Sequence, residues 1–68
     1  MKPISGKQFA KLLEKHGWKL SRINGNHHIY TKEGEITRIS LPIHGNKDLK
    51  IGLLKHLLII SGIDESEL

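Results

Sequence analysis

The sequence predicts a two-layer α+β sandwich in the element order α-β-β-β-α, with two helices laid on one face of a three-stranded antiparallel meander. Three observations carry this. A capped amphipathic helix opens the chain, and an Asn24-Gly25 hairpin signal joins two short strand-like runs. A third such run stops at Pro42 before a strongly apolar second helix.

The first helix starts at Ser5. Ser5 and Gln8 have capping-box spacing, and Ile4 and Phe9 fall at the two positions of a hydrophobic staple. Phe9, Leu12, Leu13 and His16 recur at i, i+3, i+4 and i+7 and define one face, while Lys7, Lys11 and Lys15 line another. Gly17 is a natural C′ residue. The first strand is expected over Trp18–Ile23, with Trp18 and Leu20 on one side and Lys19 and Ser21 on the other. A two-residue Asn24-Gly25 loop pairs Ile23 with Asn26, Arg22 with His27 and Leu20 with Ile29. Arg22 and His27 then share the face of Trp18, Leu20 and Ile29, the one a helix covers, at its thinly covered hairpin end. His28 points the other way.

The second strand is expected over His27–Thr31, and Lys32-Glu33-Gly34-Glu35 reads as a polar loop. The third is expected over Ile36–Leu41, with Ile39 and Leu41 on one side. A four-residue loop brings Arg38 rather than Ile39 to the Ile29 face, so an odd loop or a glycine bulge is expected there. Pro42 removes a ladder donor and ends the strand. After a loop containing His44-Gly45-Asn46, Asp48 is placed to cap a helix that runs to about Ser61 before Gly62. Leu49, Leu53, Leu54, Leu57, Leu58 and Ile60 are too many for one narrow stripe, and Ile59 lies on the side of Lys55 and His56. That breadth is either generous core or a partner surface. No repeat, low-complexity tract or linker divides the chain, which reads as a single domain over residues 1–68. Double-stranded-RNA-binding domains share this element order, though order alone says little about function.

Composition narrows the classes. A domain of 68 residues buries only about 60% of its unfolded surface, so stability is expected to be modest. With no cysteine there is neither a disulfide nor a thiolate metal ligand, in keeping with a reducing cytoplasm. No run approaches the ~18 apolar residues of a membrane span, so no membrane partner is expected. Met1-Lys2-Pro3 leads into the capped helix rather than into a signal peptide. The net charge is +4 with histidines neutral. Lys2, Lys7, Lys11, Lys15, Lys19 and Arg22 crowd the first third, and Asp64, Glu65 and Glu67 make an acidic end. A basic balance favours nucleic acid or an acidic partner.

RNA cleavage without a metal needs a base for the 2′-hydroxyl proton, an acid for the leaving oxygen and cations for the developing phosphorane charge. His27, fixed beside a tight turn, can serve as base or acid. Arg22 can hold the phosphate through its planar fork. Lys47, Lys50 and Lys55 can supply backbone contacts, and His44 is a candidate second proton carrier. From spacing alone, His27 reads at least as readily as a strand histidine bonded to a backbone carbonyl, and His44 as ordinary loop polarity. His28 and His56 read as surface positions and His16 as a partner of the helix dipole. No two histidines stand four apart, and no carboxylate sits at ligand spacing, so a metal site is disfavoured. Gly45-Asn46-Lys47 before a helix can cradle phosphate, although Asp48 at the cap would repel it.

Arg22-Ile23-Asn24-Gly25-Asn26-His27 resembles the pattern arginine, two residues, Gly-Ser-His of the HicA-type (YcfA-like) toxins. Phe9-Ala10-Lys11-Leu12-Leu13, Gly17-Trp18 and Gly62-Ile63 extend the resemblance over almost the whole chain. Leu41-Pro42-Ile43-His44 through Leu49-Lys50-Ile51-Gly52-Leu53-Leu54-Lys55 is similar to the family's strand-end proline, loop histidine and Leu-x-x-Gly-Thr-Leu-Arg helix start. The resemblance implies a double-stranded-RNA-binding-like fold and metal-independent mRNA cleavage. It also implies an absence of cofactors and a HicB-type antitoxin partner. It carries the catalytic role to His27; Arg22, Gly25 and Asn26 of the same stretch are candidate RNA contacts. Asn26 stands where the motif has serine, and Leu53 where the helix start has threonine. Two other classes stay open: a non-catalytic RNA-binding module on the same fold, and an interaction domain whose second helix docks a protein.

Overall fold

The computed structural model describes residues 2–68. Its elements are α1 (Gly6–Lys15), β1 (Lys19–Asn24), β2 (His27–Thr31), β3 (Ile39–Pro42) and α2 (Ile51–Ser61), followed by a 3-10 turn at Glu65–Glu67. The strands form one antiparallel sheet in the order β1-β2-β3. Both helices pack against it. Phe9, Leu13, Trp18, Tyr30, Ile39, Leu41, Leu54 and Leu57 meet in one core. This is the expected α-β-β-β-α sandwich.

The local signals around α1 act as expected. Gln8 N–H donates to Ser5 Oγ at 3.2 Å, and Ser5 N–H donates to Gln8 Oε1 at 2.9 Å, completing the capping box. At the other end Gly17 has φ +93°. Gly17 N–H donates to the Glu14 carbonyl and Trp18 N–H to the Leu13 carbonyl, which together make a Schellman motif. That motif turns the chain so that Trp18 drops into the core directly after the helix ends. The Lys32 ammonium lies 5.9 Å from the centre of its ring.

The hairpin departs from the expected register. Asn24 pairs with His27, so the two-residue loop is Gly25-Asn26 rather than Asn24-Gly25. Gly25 has φ +62° and no other residue of the turn has positive φ, as a type II′ turn requires. A β-bulge then interrupts β1 between Leu20 and Arg22. Leu20 faces Tyr30, and Arg22 faces Ile29. The extra residue, Ser21, breaks the period-2 alternation, so Leu20 and Arg22 lie on opposite faces of the sheet. Tyr30, not Ile29, belongs to the core, and Leu20 at 43% exposure contributes little to it.

This also removes the need for an odd loop or bulge before β3. Tyr30 pairs with Ile39 and His28 with Leu41, which puts both β3 core residues on the covered face. Ile36 lies outside the strand at 99% exposure, because β2 has ended and offers it no partner. Pro42 closes β3, and the next residue, Ile43, donates its N–H to the Asn26 carbonyl at 2.8 Å.

The start of α2 differs too. Lys50 is the N-cap and makes no side-chain capping bond. Asp48 is drawn into a β-bridge with Ser5, and Leu49 N–H donates to the Ile4 carbonyl at 2.8 Å. The segment before α2 is thereby stitched to the segment before α1, and Asp48 is held away from the capping position. At the far end Gly62 takes φ +73° and stops α2. Leu54, Leu57 and Leu58 are buried, and Leu53 and Ile60 pack at the margin of the core, so most of the broad apolar surface is core. Ile59 at 78% exposure, and to a lesser degree Ile51 at 44%, stay outside it.

Candidate active site on the open face of the sheet

The sheet has one face under the helices and one bare. Residues directly opposite in an antiparallel pair share a face. The register therefore assigns Asn24, His27 and Pro42 to the bare face, and Arg22, Ile29 and Ser40 with them. Arg22 and His27 do share a face, as the sequence reading expects, but it is the uncovered one. They are diagonal rather than direct neighbours, because Arg22 lies opposite Ile29. His28 is the residue that turns toward the helices and is half-buried, while His27 is exposed. The bulge at Ser21 brings Arg22 to the face of His27, while the burial of Tyr30 against Ile39 is what turns His28 inward and His27 outward.

His27 is held on this face from two sides. The type II′ turn fixes the strand start, and the Asn26–Ile43 hydrogen bond ties that turn to the end of β3. Across the strand, His27 Nδ1 lies 3.0 Å from Ser40 Oγ. That bond leaves Nε2 as the ring nitrogen available to a substrate. No motif in the sequence marks Ser40, and only the β2–β3 register brings it to the histidine. Asn24, directly opposite His27, is a second polar neighbour that the expected register had placed in the loop.

Pro42, the cross-strand partner of His27, also forms a wall of a cleft of about 250 Å³. His44, Lys47, Asp48, Leu49, Lys50 and Leu53 line the remainder. The sequence-expected His44, Lys47 and Lys50 thus come together beside the strand end that carries His27. Leu53 is there as well, so its side chain meets whatever enters the cleft. The start of α2 adds to the local positive field, since its first-turn N–H groups have no side-chain cap and no acidic residue lies in that turn. Asp48 is not at the cap of α2, but it lines the same cleft, where its carboxylate offsets part of that positive field.

Lys55 is not part of this cluster. It lies in a separate open groove of about 520 Å³ with Leu58, Ile59, Gly62, Ile63, Asp64 and Glu65. Asp64 Oδ1 accepts the Ser66 N–H at 2.8 Å, and this bonding to Ser66 holds its carboxyl below the usual aspartate value. His16 is also accounted for, with Nε2 2.7 Å from Glu67 Oε2 at the end of α1. His56 is an exposed position on α2. Among the described residues no three His, Cys, Asp or Glu side chains converge as a metal site. None of the described helices is long and apolar enough to cross a membrane.

This geometry offers a solvent-facing imidazole oriented through one nitrogen, a guanidinium on the same face, and two lysines and a second imidazole in the adjoining cleft. A family model described as the HicA toxin of bacterial toxin–antitoxin systems matches residues 6–63. No curated protein matches the chain.

Proposed function

The chain belongs to the HicA toxin family of bacterial toxin–antitoxin systems, and on that premise we propose that it is an endoribonuclease that cleaves mRNA by histidine acid–base chemistry without a metal. The observation that carries this reading is the exposed His27, fastened at Nδ1 on a bare sheet face that also carries Arg22. Nε2 of His27 takes the proton of a 2′-hydroxyl. The freed 2′-oxygen bonds to phosphorus, the bond to the 5′-oxygen breaks, and the leaving oxygen takes a proton from His44. The products are a 2′,3′-cyclic phosphate and a 5′-hydroxyl. Arg22 stabilises charge on the phosphorane oxygens. Gly25 and Asn26 let the strand approach the turn, and Lys47, Lys50 and the open end of α2 hold neighbouring phosphates.

Membership of the family implies an antitoxin partner, and we assign a HicB-type protein to that role. The toxin acts where mRNA is translated, in the cytoplasm. The test is cleavage of a defined RNA by purified chain in excess EDTA, beside the same strand carrying 2′-O-methyl groups. Cleavage of the first alone, leaving cyclic phosphate ends, supports the mechanism. Binding of both strands without cleavage assigns the chain to the non-catalytic RNA-binding class.

A further inference from the structure

His27 and Ser40 are 13 residues apart in sequence and stand on neighbouring strands. Ile29 pairs with Ser40 and His27 with Pro42, which makes the two residues diagonal neighbours on the open face. Ser40 lies between Ile39 and Leu41, both fully buried. Its backbone is therefore anchored by the core on either side, and its hydroxyl is presented to the open face from a rigid element. Oγ sits 3.0 Å from His27 Nδ1.

We infer that Ser40 is the positioning residue of this site: it holds the His27 ring through Nδ1 and makes Nε2 the atom that carries the proton. This rests on the reading of His27 as the acid–base group. The chemistry of a hydroxyl suits the task. A neutral imidazole has one donor nitrogen and one acceptor nitrogen, and an imidazolium has two donors. To act as a base, Nε2 must carry the lone pair, so Nδ1–H donates to Ser40 Oγ. When Nε2 takes the 2′-hydroxyl proton the ring becomes imidazolium, and the same Nδ1–H bond persists. When Nε2 later gives up that proton the ring returns to its starting tautomer. The proton enters and leaves at Nε2 while the bond to Ser40 is never remade. A carboxylate would orient the ring too, but would place a negative charge beside the scissile phosphate. The neutral hydroxyl orients without repelling the substrate.

Exposure makes such an anchor necessary. A surface histidine free to rotate spends little of its time with Nε2 aimed at a substrate, and small misplacements of a catalytic group cost up to about 100-fold in rate. The loss expected from removing Ser40 Oγ is therefore about 10–100-fold in the single-turnover rate. RNA affinity should stay unchanged, because the hydroxyl contributes no charge to phosphate binding.

The experiment compares wild type, Ser40→Ala, Ser40→Thr and His27→Ala. It measures single-turnover cleavage across pH, RNA affinity, and the ring ¹⁵N shifts of His27 in the free chain. Expected for Ser40→Ala are a slow maximal rate with unaltered RNA affinity and ring shifts moved away from the Nδ1–H tautomer. Ser40→Thr keeps the hydroxyl on a residue suited to a strand, and should restore both the rate and the ring signature. A Ser40→Ala chain with wild-type rate and ring shifts overturns the inference, as does a Ser40→Thr chain no faster than Ser40→Ala. A slow His27→Ala beside a fully active Ser40→Ala overturns this inference alone. Undiminished cleavage by His27→Ala overturns the parent reading instead.

Discussion

Gly6→Ala should destabilise the chain even though alanine is the better helix former. Gly6 is the first residue of α1, and a Cβ built there lies 2.6 Å from the Pro42 carbonyl oxygen and 3.1 Å from Ile43 Cγ1. Reaching ordinary contact at 3.4 Å requires a separation of about 0.8 Å between the start of α1 and the end of β3. The obstacle is backbone, so no side-chain rotation relieves it. Overpacking of this kind costs about 1–3 kcal/mol, and the gain in helix propensity offsets at most about 1 kcal/mol. From the middle of the overpacking range, about 2 kcal/mol, the net loss is roughly 1–2 kcal/mol, which for a domain of this size lowers the melting temperature by roughly 4–16 °C. Gly52→Ala is the internal control. Nothing lies within 4 Å of a Cβ at Gly52, inside α2, so that change should stabilise by about 0.4–1 kcal/mol. Thermal unfolding of the two variants by circular dichroism reads both signs. A Gly6→Ala chain as stable as wild type would refute the close approach of α1 to Pro42. That approach matters to the site because Pro42 lies across the strand from His27.

Three further outcomes follow from the same coordinates. RNA affinity should fall with salt with a log–log slope of roughly −2 to −3.5, and alanine at Lys47 or Lys50 should lower its magnitude by about 0.7 each. Lys55→Ala should change it less, since Lys55 shares its groove with Asp64 and Glu65; equal effects at all three lysines would contradict the separation of the two clusters. Ile59→Glu should leave the free chain folded, because a side chain 78% exposed has only about 0.3–0.7 kcal/mol of burial to lose. The same change should weaken neutralisation by the antitoxin if that partner covers α2, and calorimetric titration of the two chains measures it; a collapsed melting curve would instead place Ile59 in the core. Burial, with a smaller contribution from Glu14, raises the Tyr30 hydroxyl above its ordinary value of 10.0. The stability from Tyr30 is therefore complete below pH 10.0 and is lost as the pH rises through the higher folded value. A Tyr30→Phe chain should lack that alkaline component in a urea titration at rising pH.

What the sequence discloses is what neighbouring residues decide among themselves. Ser5 and Gln8 cap α1 through groups three residues apart, and Gly17 and Gly62 stop helices because their own φ values are permitted to be positive. Those elements lie where their residue types place them. The sheet register depends on partners far along the chain, and there the local signals were ambiguous. Asn24-Gly25 and Gly25-Asn26 are both acceptable two-residue turns. Burial of Tyr30 against Ile39, rather than turn chemistry, distinguishes the two registers. Leu20-Ser21-Arg22 contains no glycine to announce a bulge, yet the bulge brings Arg22 to the open face that His27 occupies. Asp48 has the chemistry of a cap, but its backbone is engaged by Ser5. The candidate site divides in the same way. His27 stands in a local motif and was legible, whereas Ser40 reaches it only across two strands.

The central claim is that His27 moves the proton in RNA cleavage. It is tested most directly by measuring single-turnover cleavage of one defined RNA by wild type and His27→Ala, purified in parallel and assayed in EDTA. Binding of an uncleavable analogue and thermal melting are recorded on the same samples. The account predicts that His27→Ala loses about 10²–10⁴-fold in rate, while binding the analogue and melting as wild type does. Cleavage by His27→Ala at the wild-type rate would contradict it.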